Sequence, residues 1–421
     1  MIELILYVFI LGFIIIALEH TIKINKTATS LITGILIWTI YITHNNDSNI
    51  VNHQLSEHMG EISSILFFLL GAMTIVEVID AHDGFQLLSD NLRFKKKRLL
   101  FFVIGFITFF LSALLDNLTT TIIMISLCKK IIPEKEQRFY FCGMIIIAAN
   151  SGGVWSPLGD VTTTMLWSGG QISALNTIST LILPSFISLF IPMLILQFKI
   201  NKTSLESDLA KNIITTSKIE QYLILSLGIL ILVFVPLFKS ITGLPPYMAI
   251  LLGLGILWAI TEIIHYKKEL SNKQQLSVAT ALQKIDTTSI LFFLGLLLSV
   301  GGLQNTGILN NYAQWCAIHI PNIIHLAGII GLFSAIVDNV PIVAAVQGMY
   351  SLQEFPIDHT FWSLIAYTAG VGGSILIFGS AAGVAAMGLE QINFFWYFKK
   401  ISLPALIGYI SGILCFILLK V

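Results

Sequence analysis

The sequence predicts an all-α polytopic membrane protein made of two inverted-topology repeats, and three observations carry that prediction. Apolar runs long enough to span a bilayer recur almost from end to end. Three motifs of the first half return, in order, in the second. The lysines and arginines sort to one side of the membrane once the second half is turned over.

Of 421 residues, 56% are hydrophobic and only 11% charged. Globular burial cannot dispose of so many apolar side chains. About 20 apolar residues suffice for one helical crossing, and the runs leave no room for a separate soluble domain. The first of them, MIELILYVFILGFIIIAL, carries Glu3 where a signal peptide would be basic and lacks a clear small-residue cleavage site, so it reads as a retained helix. The four cysteines, Cys128, Cys142, Cys316 and Cys415, show no metal-ligand spacing and read as packing residues. A net charge of zero says nothing about partners.

SSILFFLLG from Ser63 resembles TSILFFLG from Thr288, SALLDN from Ser112 returns as SAIVDN from Ser334, and NSGGVWSPLGD from Asn150 is answered by GVGGSILIFGS from Gly370. The offsets, about 225, 222 and 220 residues, are nearly constant, as a duplication requires. The halves are 1–210 and 211–421.

Each half reads as two plain spans, a third span, an amphipathic connector, a polar-centred segment, a glycine-broken segment and a closing span. In the first half these fall near Ile2–Leu18, Ala28–Thr43, Ile62–Ile79, Asp80–Arg98, Leu99–Ile132, Phe139–Trp167 and Ala174–Phe198. In the second they fall near Gln221–Phe238, Tyr247–Ile264, Thr288–Gly302, Leu303–Pro321, Ile323–Leu352, Phe361–Leu389 and Leu403–Leu419.

The polar-centred segment, 99–132, is either two crossings or one re-entrant hairpin, and charge decides. RFKKKR precedes it and KKIIPEKEQR follows it, so both flanks are cytoplasmic and the segment enters and leaves on one side. The flanks of its counterpart, 323–352, hold no lysine or arginine, so that hairpin enters from outside. A hairpin and five crossings per half invert the second half and put both termini on the non-cytoplasmic side. All but two of the 23 basic residues, Lys239 and Lys420, then fall in the cytoplasm.

Inverted repeats with discontinuous helices mark secondary transporters, whose sites lie near the midplane at the repeat interface. MTIVEVIDAHDGF, SALLDNLTTTI, AANSGGVWSPLGDVTTTMLW and SAIVDNVPIVAA resemble the corresponding stretches of NhaD-type sodium/proton antiporters. These belong to the ion transporter superfamily, which also holds arsenite pumps and sodium-coupled carboxylate symporters. The likeness covers nearly the whole chain. It implies scaffold and transport parts, elevator-like movement and a homodimer. It also implies a cation site where each hairpin tip meets the break of the following helix. One would use Ser112, Asp116, Asn117 and the turn from Asn150 and Ser151 to Asp160. The other would use Ser334, Asp338, Asn339, Thr368 and the turn from Gly370 through Gly373 to Ser380. Sodium would sit at Asp116 and Asn117, and at Asp338 and Asn339. Ser380 stands opposite Asp160, and Gly301 near Glu77, so the two sites are not equivalent.

Residue chemistry supports this independently. Three glycines and a proline between Asn150 and Asp160 are too many for a continuous helix. In lipid such a break survives only where protein or water satisfies the freed backbone. Its carbonyls, with hydroxyl and carboxylate oxygens, suit a hard cation. The glycine pairs also allow close helix packing, and Asp or Asn at a tip also caps a helix. A second acidic group beside a sufficient asparagine cap needs a further reason, because a carboxylate at the bilayer centre costs about 3 kcal/mol. For Asp160, capping and cation binding stay open together. No lysine or arginine lies inside a predicted span, so Asp116, Asp160 and Asp338 must each hold a proton or a bound cation.

Glu77, Asp80, His82 and Asp83 cluster where the third span meets the cytoplasm. Glu77 and His82 are either proton-relay groups or a solvated helix end. His20, His44, His53, His58, His265 and His359 fall in predicted loops, and no histidine pairs at metal-ligand spacing.

The expectation is a bacterial inner-membrane carrier that exchanges sodium or lithium for protons by alternating access, serving pH homeostasis. It needs no cofactor, and its partners are lipid and small cations, with no nucleic acid. The rivals are a sodium-coupled anion or carboxylate symporter and an arsenite exporter on the same scaffold. An enzyme is disfavoured because HExxH, GxSxG and paired membrane histidines are missing from the sequence.

Overall fold

The computed structural model describes residues 1–17, 19–45, 47–85, 87, 96–201, 216–266, 274–336 and 338–420. Among these, seven helices are long and apolar enough to cross a membrane, so the chain is a multi-pass membrane protein.

The first half opens with α1 (Ile2–Ala17), α2 (Lys26–His44) and α3 (Ser48–Ala81). Helices α4 (Lys97–Ser112) and α5 (Asn117–Ile131) meet at a tight turn over residues 113–116. Helix α6 (Lys135–Gly153) stops at its glycine pair, and α7 (Val161–Ser168) resumes after an irregular stretch. Helix α8 (Ala174–Leu196) closes the half.

The second half follows the same order: α9 (Lys218–Thr242), α10 (Pro246–Ile264), α11 (Thr287–Asn305) and a connector helix α12 (Ile308–His319). Helices α13 (Ile323–Ser334) and α14 (Asn339–Met349) meet at the second turn. The second break lies between α15 (Thr360–Gly372) and α16 (Ala381–Glu390), and α17 (Leu403–Lys420) ends the chain.

The halves interlock by exchanging partners. Helix α2 packs on α11 and α10 on α3, while α5 packs on α16 and α14 on α7. The glycines that end the two SILFFL strings take matching places: Gly71 lies against Ile250, and Gly295 against the backbone of Ser30 and Leu31. At the breaks, a Cβ on Gly152 would collide with the carbonyl of Phe109, and one on Gly372 with that of Gly331. Each broken helix therefore lets the first arm of its own hairpin approach to backbone contact. Two polar ties also join the halves. Arg138 holds buried Glu390 through Nε and Nη2, at 3.1 Å to Oε1 and 3.2 Å to Oε2. Asp358 accepts from the backbone N–H and hydroxyl of Ser173 at 2.6 and 2.7 Å.

One boundary departs from expectation. The stretch from His44 to Glu61, read as a loop, is helical from Ser48 onward, so α3 runs for 34 residues. Asp47 caps it, accepting from Asn49 N–H at 2.9 Å, and no proline or glycine breaks the polar turns before Gly60. His44, His53 and His58 are thus helical. Residues 86 and 88–95 of the connector expected at Asp80–Arg98, among them Arg93 and Lys95, lie outside the described residues, as do Lys202, Lys211, Lys267, Lys268 and Lys273.

Candidate functional site

Both turns use the same anchor. The Ser112 hydroxyl donates to Ala149 O at 2.6 Å, and the Ser334 hydroxyl donates to Ala369 O, also at 2.6 Å. Each tip is thereby fastened to the broken helix beside it, using a carbonyl next to the break.

At the first tip Asp116 is the N-cap of α5, in the left-handed region at φ 105°. An aspartate held at positive φ is strained relative to glycine there, and such strain gathers at functional turns. Its Oδ1 accepts from Thr119 N–H at 2.8 Å and its Oδ2 from the Thr119 hydroxyl at 2.7 Å. Asn117 Nδ2 donates to Asn150 Oδ1 at 3.1 Å, and Asn150 Nδ2 donates to Ser380 Oγ at 2.9 Å. A polar chain thus runs from the first tip, through the first break, to the second break.

Asp160 caps α7 and is 1% exposed. Its Oδ2 accepts from the Thr162 hydroxyl at 2.9 Å and from Asn339 Nδ2, across the halves, at 2.9 Å. The capping role is therefore real, and the same carboxylate also receives the second tip. Among the described residues no lysine or arginine pairs with Asp116 or Asp160.

Asp338 requires a correction. Its carboxylate was expected to be without a cation, yet Lys26 Nζ lies 4.0 Å from Oδ2. Lys26 is the first residue of α2, and its long side chain reaches inward over the Phe292 ring, 4.7 Å from the ring centroid. No sequence signal links positions so far apart. Asp338 makes no side-chain cap, and its buried Oδ1 has no hydrogen-bond partner among the described residues. The Thr368, Thr120, Thr121 and Thr163 hydroxyls are likewise buried without hydrogen-bond partners among the described residues. Buried polar groups ordinarily have partners, so these are spare oxygens around the two tips and breaks. Ser151 accepts from the Ser188 hydroxyl at 3.0 Å, and Gly373 packs against Gly379 O and Ser380 Cβ.

Small cavities reach both tips. One of about 60 Å³ is lined by Asp116, Asn117 and Thr164; another of about 70 Å³ by Asp338, Lys26, Glu19 and Pro341. A larger one, about 470 Å³, lies at the far ends of α7 and α14, where Gln171, Gln304, Gln347, His58 and Glu61 line it.

The two relay candidates separate. Glu77 pairs with Lys284 Nζ at 3.6 Å, whereas buried His82 meets His265 and Glu220. The expectation that no histidines pair is overturned: His82 and His265 are adjacent in space although 183 residues apart in the chain.

These features define a polytopic membrane transporter with a polar, carboxylate-bearing centre at two helix turns and two helix breaks. A family model described as citrate transporter (CitMHS) matches residues 10–372. Sodium/proton antiporter 1 of Arabidopsis thaliana is 48% identical over 97% of this chain and 70% of its own length. Sodium/proton antiporter 2 of the same plant is 46% identical over 97% of each. The Na(+)/H(+) antiporter NhaD of Vibrio cholerae is 30% identical over 99% of this chain and 91% of its own. The chain belongs to this transporter family, among the NhaD-type sodium/proton antiporters of the ion transporter superfamily.

Proposed function

We propose that this protein exchanges sodium or lithium for protons across a bacterial inner membrane by alternating access. The carrying observation is that, among the described residues, Asp116 and Asp160 receive only neutral donors, from threonine and asparagine. A carboxylate removed from water must be neutralised, by a proton or by a metal ion. Sodium arriving from one side displaces the proton, and a proton arriving from the other side displaces sodium. Carboxylate, amide and hydroxyl oxygens from Ser112, Asp116, Asn117, Asn150, Ser151 and Asp160 suit sodium as cargo. Ser334, Asp338, Asn339, Thr368, Gly373 and Ser380 form the second half of the centre. The relatives' names support the same exchange.

The partner exchange between halves, α5 on α16 and α14 on α7, supports an inverted repeat with hairpins at 99–132 and 323–352 and broken helices at 139–167 and 361–389. On this reading the termini face outward, the hairpins and broken helices move together as an elevator, and two chains form a homodimer.

A second reading, sodium-coupled uptake of a carboxylate, is favoured by the family model's description and by Lys26 at the second tip. Purified protein in proteoliposomes separates them. Sodium-driven proton movement without added anion supports exchange; sodium uptake that requires citrate overturns it in favour of symport.

A further inference from the structure

Away from the tips, three side chains from three helix ends converge. His82 is the C-cap of α3, Glu220 stands in the first turn of α9, and His265 is the C-cap of α10. The two Nε2 atoms are 3.2 Å apart; Glu220 Oε1 is 2.8 Å from that of His265 and 3.8 Å from that of His82. Both rings are almost wholly buried, and Glu220 is 8% exposed. His82 Nδ1 lies 2.6 Å from Val78 O, a contact that requires a proton on Nδ1 and so turns the Nε2 lone pair into the cluster. The Thr216 hydroxyl donates to His82 O at 2.9 Å and fixes the turn from outside.

We propose that this triad is a binding site for a first-row divalent cation, zinc foremost. Two imidazole nitrogens and one carboxylate oxygen form a borderline donor set that selects such ions over sodium, magnesium or calcium. A triangle with these sides has a point about 2.1 Å from all three corners, just off its plane, which is the bond length zinc requires. The angle between the two nitrogens at that point is about 100°, close to tetrahedral, leaving a fourth position for water. The carbonyl-bonded Nδ1–H of His82 is the outer-sphere contact that orients a metal-bound imidazole. On binding, the His265 proton moves from Nε2 to Nδ1 through solvent, which frees the Nε2 lone pair, and the ion takes its place between His265 and Glu220. The ion would staple α3, α9 and α10, which already pack α9 on α10 and α10 on α3. None of the three ligands belongs to the cation centre at the tips, so this site stands or falls apart from the exchange reading.

The test uses the full chain, purified in detergent and stripped with chelator, with Co²⁺ as spectroscopic probe. One cobalt per chain with an intense tetrahedral visible band, displaced by zinc, is expected, together with a zinc-dependent rise in the thermal unfolding midpoint. His265→Ala should abolish the band, and Glu220→Gln should weaken cobalt binding by about tenfold or more. If His265→Ala is not monodisperse, Glu220→Gln decides alone, because it preserves shape. A wild-type protein that shows only the pale, weak band of surface histidines overturns the proposal. So does an unchanged affinity in Glu220→Gln, or an unchanged band in folded His265→Ala.

Discussion

At the first tip, Thr119 gives Asp116 both a backbone N–H and a hydroxyl. The residue in the matching place at the second tip is Pro341, which has neither. Asp338 is accordingly uncapped, keeps one buried oxygen without a partner among the described residues, and faces the ammonium of Lys26 instead. The breaks differ in the same sense. Asp160 in the first half is answered by Ser380 in the second, and each is bonded by an asparagine, Asn339 or Asn150. The backbone plan is shared: a serine bonds a break carbonyl, and a glycine sits against the hairpin's first arm. The two halves thus share the geometry that builds a polar centre among apolar helices, while the carboxylates gather on the first side. A lysine at 4.0 Å is a resident competitor for any cation at the second tip.

The largest effect follows from that imbalance. Asp160→Asn should lower sodium-driven proton exchange in proteoliposomes by about 100-fold or more, because on the proposed exchange reading a neutral amide replaces the charge that sodium and proton would share. Asp338→Asn should cost nearer tenfold. Equal losses would show that the two sides of the centre are equivalent after all.

Next comes the shared geometry. Gly152→Ala and Gly372→Ala should each destabilise the protein by about 1–3 kcal/mol through overpacking, measured as matching drops in thermal unfolding midpoint. If one is tolerated and the other is not, the two hairpin contacts are not counterparts. A smaller effect is expected from Thr119→Val, which removes the hydroxyl donor but keeps the N–H. It should lower stability by about 1 kcal/mol, whereas Pro341→Val supplies the N–H that the second tip lacks and should raise stability by about 0.5–1 kcal/mol through a new cap at Asp338. Smallest is Lys26→Gln. A partly exposed ion pair contributes under about 1 kcal/mol, so its loss should change unfolding little. Removing the competitor should lower the apparent KM for sodium by about threefold, and a rise in KM would mean that Lys26 organises the tip.

Much of the centre was legible in sequence because the chemistry is local. Asp-Asn pairs after small residues, glycine pairs after apolar runs and a constant offset between them need no knowledge of distant contacts. Asp116 and Asp160 carry capping threonines within three residues, so their helix starts were readable as well. What escaped depends on residues remote in the chain. Lys26 meets Asp338, Asn339 crosses to Asp160, and His82 meets His265 only because helices from different halves pack together. The polar start of α3 escaped for another reason. Hydropathy marks the segment inside lipid, whereas the Asp47 cap and an unbroken run of helix-compatible residues carry the helix beyond it.

The central claim is that metal ion and proton share the same carboxylates, and proton release on sodium addition tests it most directly. Weakly buffered, detergent-purified protein should release protons as sodium is titrated in, saturably, with no membrane present. The Asp116→Asn/Asp160→Asn double variant should release almost none. Undiminished release from that variant, or saturable sodium binding by the unaltered protein with no proton released near neutral pH, would contradict it.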